Sequence, residues 1–219
     1  MTDYSEEEQV ERLRKWWEEN GTSVIIAIVL SVSALLGWRY WQESAQEKAE
    51  AASMVYQQMV DAMEEARSIP DSAAQAEQAR KAAEQLVAEY PSTSYADFAR
   101  FALARLAVEG EDYAGAATLL REVMDKPSTE AIGWTARARL SRVLLQNGDL
   151  DAAGVALNAS WPTAWQGQSF ELRGDLARAR GDLAAAREAY QSALTALEND
   201  GAGHRELVQM KLDDLVPAS

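Results

Sequence analysis

Cysteine is absent from this 219-residue chain, and histidine occurs once, as His204. Those two gaps exclude disulfides, thiolate zinc sites, cysteine nucleophiles and any site built on two histidines. Absent cysteine does not by itself assign a compartment. Basic residues are also scarce: 21 Lys and Arg stand against 35 Asp and Glu, a formal net charge of −14, and the basic residues form no dense cluster. Phosphate binding needs a basic face, so the balance argues against nucleic acid as a partner. No phosphate-cradling glycine loop, metal-ligand spacing or nucleophile elbow appears. Adjacent acids such as Glu64 with Glu65 and Asp213 with Asp214 point about 100° apart on a helix and make no convergent dyad. The chain therefore reads as a non-enzyme, with no catalytic residue, metal ligand or cofactor site. What remains is 47% apolar and 26% charged, a composition that folds around a core.

One stretch is set apart by what it omits. Asn20 to Trp38 contains no charged side chain, and as a helix it spans roughly 28 Å, close to the hydrocarbon thickness of a bilayer. Val24 to Leu36 is aliphatic around the whole circumference, where a soluble surface helix keeps a polar face. Trp16 and Trp17 precede the run, and Trp38, Tyr40 and Trp41 follow it. Such rings suit the two headgroup levels, and Arg39 can snorkel there. A secretory signal has a shorter apolar core, a basic start and a small-residue cleavage site. Here Glu6, Glu7, Glu8 and Glu11 come first and WRYWQES comes after, which favours an uncleaved anchor over a cleaved signal or a buried soluble helix. Arg12, Arg14 and Lys15 before the run against Arg39 and Lys48 after it give a slight positive-inside bias. The expected organisation is a cytoplasmic tail over 1–19, a transmembrane helix over 20–41 and a domain over 42–219 beyond the membrane, in a bacterium the periplasm. Ala27-x-x-x-Ser31 and Ser33-x-x-x-Gly37 would let another helix approach, a spacing that also arises by chance.

After Glu43 nearly every segment carries a 3.6-residue apolar rhythm and none alternates as a strand does, so the fold class is all-α. Ala45, Ala49, Ala52, Val55, Met59, Ala62 and Ala66 share one stripe of a long helix that can continue the membrane helix. SIPDS, Ser68 to Ser72, ends it, with Asp71 or Ser72 as the next cap. Three segments then repeat: EDYAGAATLL, GDLDAAGVAL and GDLAAAREAY. Their anchors Tyr113, Leu150 and Leu183 lie 37 and 33 residues apart, close to the tetratricopeptide period of about 34. Each has an acidic turn, a bulky anchor, and an alanine three positions on: Ala116, Ala153 and Ala186. A small residue there lets the two helices of a hairpin approach. Ten residues upstream lie Leu103, Leu140 and Arg173. Arg173 breaks the pattern, and its neighbours Leu172 and Gly174 suggest a local shift. Further on, Leu120, Leu157 and Tyr190 supply a bulky contact, and GHRELVQMKLDDL gives a terminal helix to cover the last apolar face. The architecture expected is a single transmembrane helix followed by a solenoid of tetratricopeptide-like helical hairpins.

The blocks QVERLRKWWEENG and GWRYW around the apolar run, ELRGDLARARGD in the third repeat and QMKLDDL near the end resemble, in order and over nearly the whole chain, the YfgM family of bacterial inner-membrane proteins. NASWPTAW has no clear counterpart. The resemblance implies a single-span protein with a cytoplasmic N-terminus and a periplasmic tetratricopeptide-like domain. It further implies a role ancillary to the SecYEG translocon, with a PpiD-like membrane-anchored chaperone, exported client proteins and the lipid bilayer as partners. None of these partners is read from periodicity or charge.

Solenoids of this kind bind peptides along the first helix of each hairpin. Mapping the repeat places Phe98, Phe101 and Arg105 on that surface from the first hairpin, Arg142 and Leu145 from the second, and Glu171, Asp175 and Arg178 from the third. Core packing is the competing reading for the two phenylalanines, and a solvated face for the charges. Trp134, Trp161 and Trp165 read as packing between repeats, and His204 is given no role. The leading function is a membrane-anchored interaction module serving protein export. The alternative is a tethered scaffold for another envelope assembly, such as division or outer-membrane biogenesis.

Overall fold

The computed structural model describes residues 6–68, 72–197 and 202–215. Among them there are nine α-helices and one short 3-10 turn, with no strand. The chain divides into two units, Met1–Glu50 and Ala51–Ser219. Helix α1, Glu6–Ser68, runs without a break, as the shared stripe of alanines allowed.

Within the first unit, α1 is uncovered on every side. Ile25, Ile26, Ile28, Val29 and Leu30 are all exposed, and the apolar stretch is almost wholly uncovered. It is long and apolar enough to cross a membrane, and a helix apolar all round needs lipid or a core to cover it. Two of its polar side chains close on their own backbone: Asn20 Nδ2 donates to the Trp16 carbonyl (3.0 Å) and Ser31 Oγ to that of Ala27 (2.7 Å). Such closure spares each donor the cost of standing unpaired in hydrocarbon.

The second unit stacks the end of α1 with α2 (Ala73–Glu89), α3 (Ser94–Glu109), α4 (Tyr113–Asp125), α5 (Glu130–Gln146), α6 (Leu150–Leu157), α7 (Gln166–Ala179), α8 (Leu183–Ala196) and α9 (Ala202–Asp213). Three apolar clusters hold it. Ala52, Val55 and Met59 of α1 pack with Ala83 and Leu86 of α2 and Leu103 of α3. Leu120, Val123, Leu140, Leu144, Leu157 and Leu172 join α4 to α7. Ala186, Tyr190 and Ala193 of α8 meet Val208 and Leu215, so α9 closes the last face as a solenoid end requires.

The three acidic turns are built alike. Asp112, Asp149 and Asp182 each accept from the backbone N–H three residues on, at Gly115 (2.8 Å), Ala152 (3.2 Å) and Ala185 (2.9 Å). Each cap satisfies one donor that the helix leaves free. The residue before each cap has positive φ: Glu111 (60°), Gly148 (76°) and Gly181 (81°). Ala116, Ala153 and Ala186 are fully buried, as the hairpin packing demanded. Ser72 precedes α2, yet its hydroxyl donates backward to the Ala66 carbonyl and caps nothing; Asp71 lies outside the described residues. In NASWPTAW, Trp161 is buried, donates to the Leu157 carbonyl and meets Trp134 at 5.1 Å, while Trp165 packs half-buried on the same cluster. Trp134, Trp161 and Trp165 are packing groups.

Candidate functional site

The repeat mapping brings some of the named residues together and disperses others. Helices α3 and α5 flank a groove of about 400 Å³ whose lining includes Phe101, Arg105, Val108, Leu120, Arg139, Arg142 and Val143. Phe101, Arg105 and Arg142 were expected there. Arg139 was not, although Arg139 and Arg142 are three residues apart and so share a face of α5. Arg139 holds its guanidinium 4.3 Å over the Phe101 ring, an attraction between cation and π-face. Burial, and then the charge of Arg142, hold its pKa below the ordinary value.

Phe98, Leu145 and Arg178 do not line this groove. Phe98 is partly exposed and stacks on Tyr56 at 5.9 Å, Leu145 packs half-buried on the central core, and Arg178 is exposed. Phe101 is 7% exposed, so packing and groove lining are combined in one ring.

Glu171 and Asp175 form a second cluster, and here the partner is another part of the same chain. Lys211 of α9 donates to Glu171 Oε1 (2.7 Å) and to Asp175 Oδ2 (2.7 Å) and Oδ1 (2.9 Å). His204 Nε2 lies 2.9 Å from Glu171 Oε2; an ionised carboxylate only accepts, so the proton belongs to that nitrogen. Arg142 Nη2 reaches the same oxygen at 3.5 Å. The Gln168 amide fits with its oxygen toward Arg142, accepting from Nη2 (2.9 Å) and Nη1 (3.1 Å). Glu171 is 1% exposed. Burial alone would raise its pKa, but hydrogen bonds from Lys211 and His204 and the charges of Lys211 and Arg142 outweigh it and bring the value below the ordinary 4.5. Tyr190 donates to Asp175 Oδ1 (2.8 Å); burial and then that acceptor raise its pKa, while Arg178 works against the rise. His204 thus has a structural partner that its isolated place in the sequence did not disclose.

The site is therefore an open basic groove beside a charge cluster already satisfied by α9. A hairpin solenoid with such a groove is the architecture of a peptide- or protein-binding scaffold. Comparison with known proteins agrees at the level of class: residues 14–217 match the model of the tetratricopeptide repeat-like domain. At the level of the whole chain, it is 32% identical over 211 residues to the ancillary SecYEG translocon subunit of Haemophilus influenzae, covering 96% of this chain and 97% of that protein. It is 32% identical over 210 residues to the subunit of the same name from Aggregatibacter actinomycetemcomitans and 31% over 211 residues to that of Escherichia coli, with the same coverage. The chain belongs to this family of ancillary SecYEG translocon subunits. No solved structure matches it.

Proposed function

We propose that this chain is a single-pass protein of the bacterial inner membrane that associates with the SecYEG translocon and works as a non-enzymatic interaction module for exported proteins. The apolar part of α1, taken over 20–41, is the span. The tail over 1–19 faces the cytoplasm, and the solenoid over 42–219 faces the periplasm, where it passes emerging clients to folding factors such as a PpiD-like chaperone. The observation that supports this most is that similarity to subunits of that name extends over 96% of the chain, so it includes the apolar helix and every hairpin together. A shared repeat domain alone would say far less about partners.

Site-specific photo-crosslinkers along α3 and α5 of the full chain, in native membranes, test the reading. Adducts to translocon subunits and to a PpiD-like chaperone, above those of an unrelated single-span protein, are the expected result. Adducts only to division or outer-membrane assembly proteins would replace it with the tethered-scaffold reading. Protease added to spheroplasts should degrade the solenoid; protection would reverse the orientation.

A further inference from the structure

In a chain with 35 acidic and 21 basic side chains, three guanidinium groups converge on one groove, Arg105 from α3 and Arg139 and Arg142 from α5. Two of them already have carboxylate neighbours. Arg105 Nε donates to Glu109 Oε1 at 2.8 Å, and Arg142 lies 3.5 Å from Glu171. Arg139 has no hydrogen bond or ion pair among the described residues. Its face is used by Phe101, at 4.3 Å, which leaves the edge of the planar fork, with its N–H donors, free for an acceptor. Stacking also restricts the side chain before anything binds, so less entropy is lost on docking. Beneath it, Phe101 and Val143 offer an apolar floor.

We propose that this groove captures an acidic segment of a partner protein, one carboxylate seating on the free edge of Arg139 and an adjacent apolar side chain on the Phe101–Val143 floor. The proposal rests on reading the domain as an interaction module and specifies the chemistry that it takes. The choice of a short protein segment over a polyanion follows from the remaining charge. With a net charge of −14, a nucleic acid or anionic membrane surface would bring many phosphates within the Debye length, about 8 Å at physiological salt, of acidic side chains. A segment with one or two carboxylates meets three arginines against a single lining carboxylate, Glu109, which Arg105 already holds at 2.8 Å.

The test uses the full chain in nanodiscs and a fluorescently labelled peptide in which leucines alternate with glutamates, read by anisotropy. The peptide should bind, weaken with added salt, and lose about tenfold or more in affinity when glutamine replaces glutamate, the loss of one charge-assisted pair. Arg139→Gln should lose a similar factor, and Arg139→Lys, which keeps the charge without the fork, should recover part of it. Equal binding of the glutamine peptide, or of a leucine–lysine peptide, would overturn the proposal on unaltered protein, so a folding defect in a variant cannot obscure the result. Heparin binding more tightly than the peptide, with the same dependence on Arg139, would overturn it in favour of a polyanion. If translocon adducts persist while the peptide fails to bind, the groove chemistry falls and the translocon reading stands. Peptide binding without such adducts gives the converse.

Discussion

Glu111 holds φ at 60° where the two equivalent turns use glycine. The left-handed region costs a side chain-bearing residue roughly 1–2 kcal/mol, partly offset by the greater freedom that glycine loses on folding. Glu111→Gly should therefore stabilise the domain by about 0.5–1 kcal/mol in chemical denaturation of the full chain. Gly148→Ala and Gly181→Ala should destabilise it by a similar amount. An added Cβ at either glycine meets nothing within 4 Å, so the difference isolates backbone strain from packing, and equal stability across the three variants would refute it. Gly174 is the opposite case. A Cβ there would run into the Tyr190 ring, and Gly174→Ala should cost about 1–3 kcal/mol by overpacking. These residues also show how far the repeat was legible. Leu103, Leu140 and Arg173 form an uneven column because Arg173 is exposed and donates to the Leu157 carbonyl, while Leu172 takes the buried place. One position on, Ala104, Ser141 and Gly174 are small and buried in all three hairpins. Close approach of helices selects for size, so smallness was the more regular signal, and hydrophobicity the less regular one.

At the scale of elements, helices and turns were readable because their rules are local: an aspartate before an anchor, an alanine three positions on, a proline between helices. The contact of α9 with α7 follows no such rule. Lys211 meets residues 36 and 40 positions away, and nothing in either segment alone announces the pairing. This contact makes α9 a tied part of the fold. Lys211→Ala leaves Glu171 and Asp175 with only part of their compensation, and should cost about 2–4 kcal/mol. Amide exchange over 204–213 should rise more than exchange over α3 and α4; unchanged protection of α9 would disprove the tie. The same cluster sets an acid limit. Because Glu171 has a lower pKa folded than the ordinary 4.5, the unfolded chain binds its proton first as pH falls. The stability it contributes is fully present above that ordinary value and disappears as pH falls through the folded one. Melting temperature should thus drop more between pH 5 and 3 (an approximate range set by carboxylate titration) in the wild type than in Glu171→Gln, and parallel curves would exclude Glu171 as a source.

At the scale of the molecule, the two units expose apolar side chains for different reasons. Ile28 and Val32 are 56% and 50% exposed, and Val155, on the outside of the solenoid, is 77% exposed. Fractional exposure alone does not distinguish them. Context does: the first two belong to a charge-free run that is apolar around the whole helix, whereas Val155 is a single exposed aliphatic residue on a short helix whose Ala153, Ala156 and Leu157 are buried in the core, and exposed apolar residues scattered singly are ordinary. That contrast was visible in the sequence because a span imposes length and charge limits that no other environment imposes together. It leads to a measurement. An arginine near the centre of a membrane helix costs about 2.5–3.5 kcal/mol of insertion free energy, so the pair Ile28→Arg and Val32→Arg, one helical turn apart on one face, should cost about 5–7 kcal/mol. The doubly substituted chain should move from the carbonate-resistant membrane pellet to the soluble or degraded fraction. Val155→Arg should stay with the membrane like the wild type, since its side chain exchanges one aqueous position for another. If the double variant remained as firmly in the pellet as the wild type, lipid would not be what covers that helix. The exposed surface of α1 would then need a protein partner along its whole circumference.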